Sequence, residues 1–303
     1  MIRTRLLTPE ALAPFVPELR ALEQGISYAI DDGRDAFTLD HGPRYHPFFS
    51  DQGDARFLLA FDGRGGPLVG SGVGIFKPAA FDGRSFPTVY LCDVKVARAR
   101  RGEGISHRIH GEALLRALVT PDLRRFRLAW GVAMRGSTGD VRRSWTGGHI
   151  ARLGAPLGTI ALYFVDPAHL ATLSPEGCPA AFPRGVLDLS PSISDPEATL
   201  VVTTAGKKDL RLVSTGEAMP LTHIPADPAR CRPTYAHVLR RAGEAILARG
   251  DGSKACFCLD LRQTPLRAWL TDRGIVSDTT ATVLGLTLPG ARRGIVHLAT
   301  SDI

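Results

Sequence analysis

The sequence predicts a mixed α/β protein in two parts. Three observations carry that reading: strand-like runs interrupted by amphipathic helices, a Pro-, Ser- and Gly-rich stretch without periodicity over 166–198, and a length of 303 residues, long for one compact core. The expected division is a first domain over 1–170, a connection over 171–198 and a smaller mixed α/β domain over 199–303.

In the first part, residues 2–7 form a short strand, and Thr8-Pro9-Glu10 opens a helix with an N-cap and a proline at the first helical position. Leu12, Phe15, Leu19 and Leu22 supply its apolar face, while Pro14 and Pro17 kink or split it. Residues 25–54 are turn-rich. Strands over 56–61 and 68–76 flank the hairpin signal Asp62-Gly63-Arg64-Gly65-Gly66-Pro67, and a third strand follows over 87–96. Within the second of these, Gly70-Ser71-Gly72-Val73-Gly74 marks close backbone packing. A helix over 105–119 carries Ile105, Ile109, Ala113, Leu114, Ala117 and Leu118 on one stripe. Strands over 126–134 and 158–165, with a polar, glycine-broken segment between them, close the first part.

The second part reads as strands over 200–204, 210–214 and 221–224, a helix over 234–249 stopped by Gly250, and a strand over 255–261. A helix opened by Thr264-Pro265 and stopped by Gly274 precedes strands over 281–288 and 295–299. Each part shows a strand–helix–strand order near its end, with Arg152-Leu153-Gly154 and Asp272-Arg273-Gly274 each standing before a strand. A diverged duplication would leave that trace, so a degenerate copy of the first domain is one form open to the second.

Hydrophobic residues at 44% and charged residues at 22% exclude a disordered chain. The net charge of +7 suits an anionic partner. Its basic residues come as scattered pairs such as Arg240-Arg241, without interleaved aromatics, which reads as solvated faces rather than a nucleic-acid surface. Five cysteines lack disulfide-framework spacing, and Cys256 and Cys258 share one face of a strand without a second Cys or His pair to complete a metal site. No apolar run reaches ~18 residues and Met1–Arg5 lacks a signal-peptide core, so the expectation is a soluble cytoplasmic protein.

The most informative stretch is the strand over 88–96, then Ala97-Arg98-Ala99-Arg100-Arg101-Gly102-Glu103-Gly104-Ile105-Ser106, then the helix. Strand, glycine turn and helix N-terminus make an anion site, because backbone N–H groups converge there and the helix dipole favours negative charge. Glycine lets the backbone approach phosphate oxygens and take up positive φ. Ser106 adds a hydroxyl, and Arg100 and Arg101 add charge. Gly-Lys-Ser/Thr is absent, as is the third glycine of the dinucleotide pattern.

This turn resembles the coenzyme A pyrophosphate loop of the GNAT (GCN5-related) N-acetyltransferases, Gln/Arg-x-x-Gly-x-Gly/Ala. Arg101, Gly104 and Ser106 stand in its three defining places, with Ser106 departing from the usual Gly or Ala. Val94-x-Val96 precedes the turn at the spacing of the family's fourth strand, and the resemblance extends over 1–166. It implies a GNAT fold in the N-terminal half and acetyl-CoA as co-substrate, without a metal. Cofactor contacts would come from Val94, Lys95 and Val96 on the strand and from Arg101, Gly102, Glu103, Gly104, Ile105 and Ser106 on the turn.

Acyl transfer to an amine needs a base, donors for the developing oxyanion and a proton for the thiolate. The family's base is often an acidic residue on the fourth strand, where Asp93 is the one carboxylate; pairing with Lys95 on the same face is its alternative role. The thiolate's acid in relatives is a tyrosine after strand five. Residues 135–154 contain none, so the role is not carried over. Tyr45, Tyr90, His149 and Tyr163 are conceivable in that role but read first as packing or surface residues, Cys92 as an inert thiol rather than an acyl carrier, and His41 and His46, in the loop region where relatives bind acceptors, as solvent-facing turn residues. The resulting expectation is acyl-CoA-dependent N-acyltransfer to a small-molecule or peptide amine, with a non-catalytic acyl-CoA-binding module as the alternative.

Overall fold

One large sheet runs through both halves of the chain. The structure, a computed structural model, describes residues 1–30, 35–124, 126–134, 154–182, 184–287 and 294–303. Its first half contributes β1 (Ile2–Leu7), β4 (Asp54–Asp62), β5 (Leu68–Phe81), β6 (Arg84–Val96), β7 (Leu128–Met134) and β8 (Ala155–Val165). The second contributes β9 (Val186–Asp188), β10 (Val202–Thr203), β12 (Leu221–His223), β13 (Lys254–Asp260), β14 (Thr279–Thr287) and β15 (Ile295–His297). A second sheet joins β2 (Tyr28–Ile30) and β3 (Asp35–Asp40) to β11 (Asp209–Leu212), in the order β11-β3-β2. The turn-rich reading of 25–54 therefore gives way to two strands and a short helix α2 (Pro47–Ser50). β3 finds its edge partner in β11, from a distant part of the chain, and Phe37 packs with Leu210, Leu221 and Cys256.

The main path through the large sheet is β1-β4-β5-β6-β7-β14-β8-β13-β12-β10. The six strands from β6 to β12 read the same from either end once β6 is matched with β12, β7 with β13 and β8 with β14. The β6–β7 and β12–β13 pairs are both parallel, whereas β7–β14, β14–β8 and β8–β13 are antiparallel. The first half's β8 thus lies beside β13 of the second half, and the second half's β14 lies beside β7 of the first. Helices stand in matched places as well: α3 (Ile105–Val119) follows β6, and α5 (Tyr235–Arg249) follows β12. A repeated unit with exchanged terminal strands accounts for this symmetry.

Proline governs the first helix as expected. Glu10–Phe15 is a 3-10 turn containing Pro14, and α1 (Val16–Gln24) starts anew with Pro17 in its first turn. The glycines of β5 are packing residues: a Cβ on Gly70 would lie 3.0 Å from Ile105 and Ile109 of α3, and one on Gly72 would lie 3.0 Å from Ile109. The largest core lies against the sheet around Leu12, Phe49, Phe57 and Trp130, and a second packs α5 on β13 through Val238, Leu239 and Phe257. Between them, α4 (Pro167–Ala171) and α6 (Thr264–Thr271) cover the second half.

Helix α5 meets α4 through Gly243, where a Cβ would lie 2.6 Å from the Ala171 nitrogen and 2.8 Å from the Pro167 oxygen. Gly243→Ala should therefore destabilise the protein by about 1–3 kcal/mol of overpacking, lessened by up to ~1 kcal/mol of gained helix propensity. Denaturant unfolding measures this, and unchanged stability would mean the two helices separate freely. Truncation at Asp166 removes β14 and leaves β7 and β8 without the strand they share. Such a chain should lose cooperative thermal unfolding, and a sharp transition in it would show that the first half folds without the exchanged strand.

Candidate functional site

The site begins with an irregularity in β6. Ser71 of β5 pairs with Lys95, but Val73 pairs with Cys92, so Gly72 alone faces both Asp93 and Val94. The extra residue is a β-bulge, and Asp93 takes a φ of +53°, uncommon for a residue with a side chain. On its other edge β6 pairs with β7 only from Thr88 to Tyr90. Beyond that point the strands part, so the main chain of Leu91–Val96 has β5 on one side and no β7 ladder on the other.

Cavities lie on both faces of this opening. One, of about 110 Å³, sits under α3 and is lined by Val89, Ile109, Ala113 and Ala129 among others. The other, of about 200 Å³, lies on the opposite face, between the large sheet and the smaller one. Its walls include Phe37, Leu39 and Leu210 from the small sheet, Phe164 and Cys256 from the large one, and Asp93. Leu91 and Val94 border both cavities. The parted strands therefore lie between a cavity under α3 and one lined by both halves of the chain.

At the end of β6 the predicted turn leads into α3 at the predicted residue. Gly102 and Gly104 have φ of +86° and +74°, and Gly104 is the N-cap of α3. Any helix leaves N–H groups of its first turn without intrahelical acceptors, and here that turn begins at Ile105. Arg101, Gly102, Glu103 and Gly104 are exposed, Ser106 is half-buried, and Ile105 is buried against β5. Arg100, expected to supply charge to an anion, instead binds Glu103 at 2.7 Å and Asp62 at 2.5 Å. That pairing neutralises Glu103, whose carboxylate would otherwise repel a phosphate, and among the described residues no carboxylate pairs with Arg98 or Arg101.

Asp93 and Lys95 do meet, within a larger buried network. The Lys95 ammonium donates to Asp93, to Glu23 of α1 at 2.7 Å and to the Tyr45 hydroxyl at 2.8 Å. Tyr45 donates in turn to the second oxygen of Asp93 at 2.6 Å. Glu23 accepts from the main chain of His41 at 3.0 Å, and its other oxygen lies 2.5 Å from His41 Nδ1. Burial pushes the Asp93 carboxyl up, but Lys95 and the hydrogen bonds outweigh it, so its pKa is lowered; Glu23 behaves likewise through His41 and Lys95. Burial lowers the His41 pKa, which makes its Nδ1–H a neutral donor to Glu23. Two carboxylates, one ammonium and a neutral imidazole give the network one net negative charge.

Glu23, His41 and Asp93 offer ligand atoms within 4.8 Å of one another, the spacing of a cation site. Lys95 already places its ammonium between the two carboxylates, where a metal ion would otherwise go. His41 and Tyr45, expected to be surface or packing residues, are buried members of this network, while His46 is half-buried beside Ser50. Tyr90 stacks on Trp130 at 4.1 Å and lines the larger cavity, and Tyr163 stacks on Phe257 at 4.8 Å in the second core. His149 lies outside the described residues. Cys92 lines the larger cavity with its thiol pKa raised by burial, which keeps it protonated and unreactive.

Glu23 was absent from the sequence reading although a signal existed: it lies four residues after Leu19, on the buried stripe of α1. Lys208 and His223, from the second half, also line the larger cavity. Nothing local marks Lys208, which follows a Thr-Ala-Gly-Lys turn that reads as solvent-exposed.

No family model matches the sequence, and no curated protein matches it. Solved structures match its fold. The Saccharomyces cerevisiae N-myristoyltransferase with bound myristoyl-CoA is 9% identical, and the match covers 98% of this chain and 80% of that one with a TM-score of 0.56. A tandem GNAT protein from the clavulanic acid biosynthesis pathway is 11% identical, covering 96% of this chain and 100% of that one with a TM-score of 0.53. The fold is the GNAT fold, and over nearly its whole length the chain is similar to that tandem protein. No helix among the described residues is long and apolar enough to cross a membrane.

Lys95→Met should destabilise the protein by about 3–5 kcal/mol at neutral pH, because it leaves two buried carboxylates without their cation. In the parent both carboxyls have lowered pKa values, so their stabilisation is present above the unfolded values and lost as pH falls through the folded ones. Without Lys95 the buried carboxyls would protonate more readily. The deficit of the variant should therefore shrink as pH falls from about 7 toward 4 in urea titrations. A pH-independent deficit would assign the loss to packing.

Proposed function

We propose that the protein is an acyl-CoA-dependent N-acyltransferase with acetyl-CoA as its donor. The observation that carries this reading is the opening between β6 and β7, with the glycine turn at one end and a cavity on each face. In this reading the pyrophosphate of coenzyme A rests on Arg101, Gly102, Glu103, Gly104, Ile105 and Ser106. Main-chain N–H groups and the Arg101 guanidinium complement its charge. Pantetheine follows the main chain of Val94, Lys95 and Val96 through the opening, and a small-molecule or peptide amine enters from the larger cavity. The neighbour with bound myristoyl-CoA supports a long acyl-carrying cofactor on this fold.

For the transfer itself, the amine nitrogen attacks the thioester carbonyl, forms the amide bond and expels the thiolate. Asp93 is the proposed base. Lys95 and Tyr45 hold its carboxylate ionised, with a lone pair on each oxygen still open to an N–H of the acceptor. The main chain of β6 left without a β7 partner would donate to the developing oxyanion.

The second half is proposed to bind no coenzyme A. Its equivalent of the phosphate turn, between β12 and α5, contains Pro225, Pro228 and Pro233 and no glycine, and proline offers no N–H. Calorimetric titration should find one coenzyme A per chain.

Acetyl-CoA should raise the melting temperature, by an amount corresponding to about 2.7 kcal/mol at a hundredfold excess over Kd. Gly104→Val should abolish that rise, because a β-branched residue resists the +74° φ on which the turn depends. Equal binding by this variant would move the phosphate site elsewhere. Asp93→Asn should lower turnover ~10²–10⁴-fold while leaving acetyl-CoA affinity near the parent's. The loss should be greatest at acid pH, where the acceptor amine is protonated. Parental turnover at every pH would remove Asp93 from the chemistry. A saturating shift with acetyl-CoA but no thiol release with any amine would make the protein a binding module.

A further inference from the structure

N-acylation of a primary amine moves two protons, and Asp93 can hold only one of them. At neutral pH such an amine arrives as an ammonium and leaves as an amide, while the departing thiolate needs a proton in return. Tyr45 is not free to serve as the second carrier. Its hydroxyl already donates to Asp93 and accepts from Lys95, and burial holds its pKa well above the ordinary value.

His41 has the geometry for that task. It lines the larger cavity together with Asp93, and a nitrogen of its ring lies within 4.8 Å of an Asp93 oxygen. Because the Glu23 carboxylate takes the Nδ1–H at 2.5 Å, Nε2 carries the lone pair of the ring. Among the described residues Nε2 has no hydrogen-bond partner, yet it is not one of the polar atoms buried without one, so its lone pair opens on the cavity. The ring is fixed before any substrate arrives. It stacks on Phe49 at 4.8 Å and meets the rings of Tyr45 at 5.1 Å and Phe48 at 5.4 Å. Its main-chain N–H donates to the other oxygen of Glu23 at 3.0 Å, and the next residue, Gly42, donates to Asp40 at 2.8 Å. Gly42 also packs so closely on the turn before β11 that a Cβ there would lie 2.8 Å from the Gly206 oxygen. Burial keeps the resting ring neutral and able to accept a proton, and the Glu23 carboxylate would stabilise the imidazolium once formed.

We propose that His41 is a second catalytic residue, positioned by Glu23, whose Nε2 carries a proton from the attacking nitrogen to the departing sulfur. The role rests on the acyl-transfer reading above and adds a residue to it. Asp93 takes the first proton from the ammonium and so frees the nitrogen lone pair. That pair forms the C–N bond, and Nε2 accepts the second proton from the same nitrogen. The C–S bond breaks with its electron pair going to sulfur, and the imidazolium gives its proton to the thiolate, leaving coenzyme A as the free thiol. Asp93 returns its own proton to solvent. Glu23 touches no substrate: it fixes the tautomer of His41 and supplies the charge that offsets the imidazolium.

The test uses the full-length protein, acetyl-CoA and a panel of spermidine, tyramine, L-phenylalanine and a lysine-containing peptide, with thiol release and the amide product both measured. His41→Asn keeps a side-chain N–H for Glu23 but has no basic nitrogen. It should keep the thermal shift with acetyl-CoA and a KM within about threefold of the parent's, and lose kcat ~10²–10⁴-fold. The groups around the ring are Glu23 of α1, Tyr45 of the following loop, and Asp93 and Lys95 of β6. The two carboxyls titrate below their ordinary values and Lys95 and Tyr45 well above theirs. The parent's kcat should therefore fall as pH drops through the His41 pKa, which burial holds below its ordinary 6.5, and His41→Asn should lack that limb. Glu23→Gln removes the charge that favours the imidazolium, so its limb should move to lower pH. If His41→Asn does not fold, 15N shifts of the parent's imidazole give the His41 pKa directly, and a kcat limb at the same pH supports the role. Parental kcat in His41→Asn would overturn it, and so would a parent whose kcat is unchanged across the titration of His41. A variant that loses acetyl-CoA binding and kcat together would make His41 a structural residue. Acetyl-CoA binding by the parent without thiol release from any of the four amines would overturn the transfer reading, and this role with it.

Discussion

The bulge at Asp93 and Val94 is the feature on which the rest of the site depends. A strand paired on both edges has no main-chain groups to offer a ligand. By fitting two residues against Gly72, β6 gains a bend, and its path diverges from β7 after Tyr90. The divergence frees the main chain of Leu91–Val96 along one edge and opens the sheet between two cavities. Gly72 is what permits it, since α3 packs there with Ile109 at the limit of close contact.

A left-handed φ at a residue with a side chain costs of order 1–3 kcal/mol, so the bulge needs support from outside the strand. Lys95 provides it. Its ammonium draws Asp93, Glu23 and Tyr45 to one point and so ties β6 to α1 and to the loop before α2. Tyr45 is itself held at a φ of +63°, so two strained residues share one set of hydrogen bonds. Removing a charge from this group would cost far more than its own hydrogen bond, because the remaining charges are buried. The same bonds keep a negative carboxylate at the edge of the opening.

The exchange of terminal strands explains why the cavity can draw on distant parts of the chain. With β14 between β7 and β8, neither half completes its sheet alone. That continuity brings β11 to β3 and puts Lys208 and Asp93 on the walls of one cavity. The half without a glycine turn is thus read as having kept the architecture of a repeat and turned its polar residues to the other half's cavity.

Much of this architecture was legible in the sequence because its determinants are local. Proline split the first helix where it had to, and the helix over 105–119 was set by its glycine N-terminus and apolar spacing. The glycines of β5, the hairpin at 62–67 and the alternating strands of both halves also follow from neighbours in the chain. Short strands such as β2 and β3 did not announce themselves, since their pairing partner lies some 170 residues further on, at 209–212. Glu23, His41 and Tyr45 were likewise undetermined by sequence: a polar residue in a turn or on a helix looks the same whether water or a buried lysine answers its charge. Asp93 and Lys95 stand two apart on one strand, so their meeting could be read from alternation alone. That Lys208, of the second half, lines the same cavity as Asp93 was decided only when β14 passed between β7 and β8 and closed the two halves into one sheet, because proximity in space is not contained in the chain's order.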